Sequence, residues 1–114
     1  MIILPQKNLR LSNVKVEFIL SVAQDAEISL EKVHGRKYRI EASWSLYPAS
    51  GTSDDWAKAA AGIKYSFTIE LRPGEQANDE SKGFILSSDQ IIPTGQELFA
   101  GLNSLGAKLL EEQQ

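Results

Sequence analysis

Residues 64–71, Lys64-Tyr65-Ser66-Phe67-Thr68-Ile69-Glu70-Leu71, alternate polar and apolar side chains without a slip. Successive side chains of a strand point to opposite faces, so Tyr65, Phe67, Ile69 and Leu71 share one face. Lys64, Ser66, Thr68 and Glu70 share the other. Pro73-Gly74 breaks the pattern, and Gln76 to Lys82 reads as a polar surface loop. The short apolar run Gly83-Phe84-Ile85-Leu86 is expected to pack beneath that loop.

Helical spacing surrounds this strand. Upstream, Val22, Ala26, Leu30 and Val33 recur at helical intervals, with Ser21 and Gln24 as a capping box and Gly35 as a left-handed stop. The spacing predicts a helix from Val22 to His34. Before it, Val14, Val16, Phe18 and Leu20 alternate as in a short strand, and Lys37 to Glu41 is a second β-like stretch. Ser53 can cap a short alanine-rich helix that Gly62 ends. Downstream, Thr94 and Glu97 form a capping box before a stripe of Leu98, Leu102, Leu105 and Leu109, flanked by Phe99 and Leu110. Helices alternating with one firm strand make the class α/β.

With 114 residues, 42% hydrophobic and 24% charged, the chain fits one small globular domain. A net charge of -3 gives no field that draws in nucleic acid or an acidic membrane. No run approaches the ~20 apolar residues of a membrane span. Met1 to Leu4, followed by Pro5, is too short for a signal-peptide apolar region. The absence of cysteine removes thiolate catalysis and thiolate-bound zinc, and leaves the redox compartment open.

The single histidine, His34, has no carboxylate at a metal-pairing interval and suits a helix C-terminus instead. No nucleophile elbow or phosphate-binding glycine loop is present. Glu70, toward the carboxyl end of its strand, can serve as a general base, although by pattern alone a solvated glutamate paired with Lys64 or Arg72 is the commoner explanation. Asp54 and Asp55 suit the first turn of a helix. Tyr47, before Pro48, can be a turn residue with a buried ring.

The stretch Tyr47-Pro48-Ala49-Ser50-Gly51-Thr52-Ser53-Asp54-Asp55-Trp56 resembles the specificity loop of zinc metallocarboxypeptidases of the A/B type. Gly62 to Arg72 resembles that family's catalytic-glutamate strand. Gly83 to Leu86, Gln90 to Thr94 and the terminal helix with Glu97 follow in the family's order, and Val33-His34-Gly35 fits the preceding helix end. The resemblance runs from residue 21 to about residue 112, leaving 1–20 as a segment that does not match. It implies a mixed β-sheet with helices on both faces, of which this chain is a C-terminal fragment. It also implies that Glu70 activates a zinc-bound water and passes the proton to the leaving amine. Tyr47 matches the tyrosine that closes over the substrate. Asp54 matches the floor of the specificity pocket, where an acid goes with Lys or Arg at the peptide's end.

Zinc is the implied cofactor, peptide or protein C-termini the implied substrate, and the extracellular space the implied setting. The family's His-x-x-Glu motif and its later histidine ligand have no counterpart here, nor do the residues that hold the substrate carboxylate. An insertion between Trp56 and Gly62 and a longer loop after Pro73 are further departures. The expected identity is thus a truncated C-terminal part of the catalytic domain, inactive by itself. A non-catalytic module that binds peptide C-termini and a non-functional fragment are the alternatives.

Overall fold

The computed structural model describes residues 1–4, 13–42, 51–73 and 85–114. Among these residues the elements in chain order are β1 (Ile2–Leu4), α1 (Asn13–His34), β2 (Ile40–Ala42), α2 (Ser53–Ala59), β3 (Thr68–Ile69) and α3 (Ile91–Glu112). A 3₁₀ turn at Ser88–Gln90 leads into α3. The strands form a mixed sheet in the order β2-β1-β3. β1 runs parallel to β2, with Ile2 beside Ile40 and Leu4 beside Ala42, and antiparallel to β3, with Ile2 beside Ile69. A parallel pair needs a long crossover, and α1 provides it.

The length of α1 departs from the sequence reading, which starts the helix at Val22 and makes Val14 to Leu20 a strand. The helix begins at Asn13. Its buried face is Ile19, Val22, Ala23, Ala26 and Leu30, a set spaced at three and four residues. Ile19 lies on the nominally polar side of the alternation and belongs to this stripe, so the helical register wins. Ser21 lies inside the helix and donates its hydroxyl to the Phe18 carbonyl at 2.9 Å rather than capping a terminus. The expected stop holds: Gly35 has φ +72° and donates its N–H to the Glu31 carbonyl at 2.7 Å.

Ile2, Ala23, Ala26, Leu30 and Tyr38 form the core, with Leu4, Ile40, Phe67 and Leu71 packed against it. Phe67 and Leu71 therefore keep the inward face read from the alternation. The hydrogen-bonded ladder is shorter than that alternation, covering Thr68 and Ile69. β1 was not anticipated, since three residues are too few for any periodicity to show. Fully burying one such aliphatic side chain contributes about 1.5–3 kcal/mol.

α3 packs on α1 with Thr94, Glu97 and Gly101 buried. Of the leucine stripe, Leu98, Leu105 and Leu109 are half-buried and Leu102 is exposed, as are the flanking Phe99 (67%) and Leu110. Thr94 is not an N-cap, because the helix already begins at Ile91, and its hydroxyl donates to the Gln90 carbonyl at 2.6 Å. Pro93 falls in the first turn, where no N–H is required. Ile85 is exposed instead of packed, and Gly83, Phe84 and the loop from Gln76 to Lys82 lie outside the described residues.

Gly101 marks the close approach of the two long helices. A Cβ there would stand 2.8 Å from Leu30 Cγ, in a side chain that is itself fully buried. Gly101→Ala is expected to destabilise the chain by about 1–3 kcal/mol through overpacking, exceeding the ~1 kcal/mol gained in helix propensity. Gly106→Ala, with open space around its Cβ, is expected to stabilise it by about 0.5–1 kcal/mol. Urea denaturation followed by circular dichroism checks both signs.

Candidate functional site

Glu70 follows β3 directly and is partly buried. Its backbone extends the β1–β3 pairing: Glu70 N–H donates to the Met1 carbonyl at 2.7 Å, and the Met1 ammonium donates to the Glu70 carbonyl at 2.5 Å. Neither cation offered by the sequence as its partner is bonded to the Glu70 carboxylate. Lys64 binds Glu112 at 2.6 Å, and Arg72 is held by Glu97.

The segment carrying Glu70 is strapped to α3 at both ends. At the near end, Lys64 Nζ and the Tyr65 hydroxyl both donate to the Glu112 carboxylate. Beyond Glu70, Arg72 donates from Nε to Glu97 Oε2 at 3.1 Å and from Nη2 to Glu97 Oε1, while Nη1 donates to Gln90. The lengths agree: α3 rises about 22 Å from Glu97 to Glu112, and an extended chain from Tyr65 to Arg72 spans about 23 Å.

Glu97 is 0% exposed and gathers more than Arg72. The Tyr38 hydroxyl donates to its Oε2 at 2.8 Å, and His34 Nδ1 lies 3.2 Å from its Oε1. Burial pushes the Glu97 carboxyl up, but hydrogen bonds from Arg72 and Tyr38 and the Arg72 charge outweigh it and hold it below the usual range. Burial and the Glu97 hydrogen bond push the Tyr38 phenol up. Sequence reasoning missed this centre by assigning Glu97 to a capping box; His34 does end α1 at the surface, but its contact with Glu97 was not foreseen. Two signals pointed to it: Arg72 lies two residues past Glu70, on the same side of the strand, and Thr94, Glu97 and Gly101 share helical spacing.

Asp54 lies in the first turn of α2, and it is 4% exposed. Among the described residues its Oδ2 has no hydrogen-bond partner, nor has the buried Oγ1 of Thr52. Thr52, not Ser53, is the N-cap residue, and its side chain makes no capping bond. No hydrogen bond or ion pair among the described residues joins Asp54 to Glu70, and Tyr47 lies outside the described residues.

A zinc centre does not fit the described residues. No group of three His, Asp or Glu side chains among them is placed to hold a metal. The sole histidine faces Glu97, whose two oxygens already accept from Arg72 and Tyr38. No helix among the described residues is long and apolar enough to cross a membrane.

The profile of the family described as zinc carboxypeptidase matches residues 4–101. Carboxypeptidase B of Astacus astacus is 46% identical over 83 residues, covering 72% of this chain and 26% of that protein. Carboxypeptidase A4 of Mus musculus is 44% identical over 85 residues, covering 74% of this chain and 19% of that protein. The structure of bovine thrombin-activatable fibrinolysis inhibitor in complex with tick carboxypeptidase inhibitor superposes with a TM-score of 0.74 at 34% identity, over 97% of this chain and 36% of that one. The chain thus spans about a fifth to a quarter of the length of these two relatives.

The Glu97 centre gives stability an acid limb. A carboxyl held below its ordinary value stabilises the fold fully above the usual carboxylate range, and that contribution is lost as pH falls through the lowered value. Thermal midpoints are expected to drop on acidification through that window. In Glu97→Gln the limb shrinks, and leaving Arg72 buried without its counter-charge costs about 3–5 kcal/mol in denaturant titration at neutral pH.

Proposed function

From the premise that this chain belongs to the zinc carboxypeptidase family, we propose that it supplies the proton-moving carboxylate and the specificity pocket of a metallocarboxypeptidase that releases lysine or arginine from peptide C-termini. The A-type and B-type relatives are nearly equal in identity, so overall similarity does not choose the preferred side chain. Asp54 carries that choice. An acid serving only the helix dipole is best left in water, yet Asp54 is buried with Oδ2 unpartnered. A carboxylate oxygen in that state is costly until a donor arrives. A basic side chain entering the pocket supplies a charge-assisted hydrogen bond.

Glu70 in this reading takes the proton of the attacking water and hands it to the leaving amine. Among the described residues neither Lys64 nor Arg72 pairs with its carboxylate, which supports this role. The straps to Glu112 and Glu97 support it too, since they fix the backbone from which the carboxylate projects. Tyr47 closes over the substrate near its C-terminus. The substrates are peptide or protein C-termini met outside the cell.

The 114-residue chain alone is expected to release no C-terminal residue even with zinc added. Its one histidine is committed to Glu97 and it has no cysteine, so a zinc site would have to be built from scattered carboxylates. Within a complete catalytic domain carrying this segment, hippuryl-Arg is expected to be cleaved faster than hippuryl-Phe, and Asp54→Ala to reverse that order. A faster Phe substrate before the substitution would defeat the basic preference. In the same domain, Glu70→Gln is expected to lower kcat by about 10²–10⁴-fold while substrate binding persists. A loss below tenfold would move the proton-transfer role to another group.

A further inference from the structure

Two buried oxygens without partners lie two residues apart at the start of α2, Thr52 Oγ1 and Asp54 Oδ2. Each such group destabilises the chain while it stays unsatisfied. Since both lack a partner, they are not bonded to each other. A threonine at an N-cap ordinarily accepts from an N–H of the first turn. Thr52 has the extended backbone of a cap, with φ -69° and ψ 148°, and its carbonyl accepts from Trp56 at 3.0 Å. Its hydroxyl nevertheless makes no capping bond. The obvious internal use of that hydroxyl is therefore not taken.

We propose that Thr52 is a second specificity-determining residue, whose hydroxyl accepts an N–H of the same cationic head group that Asp54 binds and so favours a guanidinium over an ammonium. The inference rests on the reading of Asp54 as the pocket acid. An ionised carboxylate only accepts hydrogen bonds, and a hydroxyl has two lone pairs, so the group complementary to both is rich in donors. The two oxygens sit on side chains two residues apart and are not bonded to each other, so they are separate acceptors. A guanidinium holds five N–H donors on a rigid planar frame, whereas an ammonium radiates three from one point. The fork suits two separated acceptors better.

The test uses the 114-residue chain with N-acetylarginine, N-acetyllysine and N-acetylphenylalanine as probes, each titrated against the amide NMR spectrum. The wild-type chain is expected to bind the arginine probe about threefold or more tighter than the lysine probe, with the phenylalanine probe weakest. Thr52→Val, similar in shape but without the hydroxyl, is expected to bring arginine and lysine to within about twofold. Its thermal midpoint should rise, because a buried unsatisfied group is gone. Thr52→Ser is expected to keep the arginine preference.

A merely structural Thr52 would instead lose stability on changing to valine and leave the probe ratio alone; that result overturns the inference. If Asp54→Asn abolishes binding of both cations while Thr52→Val leaves the ratio unchanged, the reading of Asp54 stands and that of Thr52 falls. If Asp54→Asn binds both cations like the wild type, the reading of Asp54 falls and the inference with it. A wild-type chain that binds no cationic probe overturns both.

Discussion

One carboxylate shut away from solvent, that of Glu97, organises more of this chain than any apolar contact does. A buried charge is tolerated only when its partners are placed well enough to repay its lost hydration. Here the partners come from the end of α1 (His34), the turn toward β2 (Tyr38) and the chain just past β3 (Arg72). Each must be in position for the others to be worth having. The two-point contact with Arg72 fixes direction as well as distance. A purely hydrophobic contact at this spot could slide; a carboxylate gripped from three sides cannot.

That constraint explains why a two-residue ladder is enough for β3. The strand depends little on sheet pairing, because Glu112 and Glu97 hold its flanks along the length of α3. Lys108 adds a further tie from α3 to Asp25 of α1, at 3.3 Å. The outcome is a short extended segment with a fixed course, whose one carboxylate, Glu70, is paired with neither Lys64 nor Arg72. Polar groups elsewhere on the segment thus hold the scaffold around the candidate reactive group.

The sequence made some of this legible and hid the rest for identifiable reasons. The inward face of Phe67 and Leu71 follows from strict alternation, and the end of α1 follows from Gly35, because both are local rules. The start of α1 was hidden because Val14, Val16, Phe18 and Leu20 satisfy an alternating pattern, while the helix is set by Ile19 packing with residues further along. Glu97 was hidden because a carboxylate three residues after a threonine reads as a cap, and only the arrival of Arg72 from elsewhere in the chain gives it another use. Pattern alone did not tell Asp54 from Asp55; only the family resemblance did. The burial of Asp54 without a partner, and that of the Thr52 hydroxyl, could not be read from sequence.

The order of strands in the sheet has a consequence for how the chain is made. Ile2, Ile3 and Leu4 occupy the middle position, yet one neighbour begins at Ile40 and the other lies at Thr68 and Ile69. Of the three strands described, the one earliest in the chain is therefore flanked on both sides only when the latest has formed. Until residue 69 has emerged, a run of bare aliphatic side chains has an open edge. Pairings so far apart in sequence form slowly, because the loop entropy is spent before the contacts return it. Speed of synthesis past β3, more than any property of β1 itself, then decides how long that edge stays available to other chains.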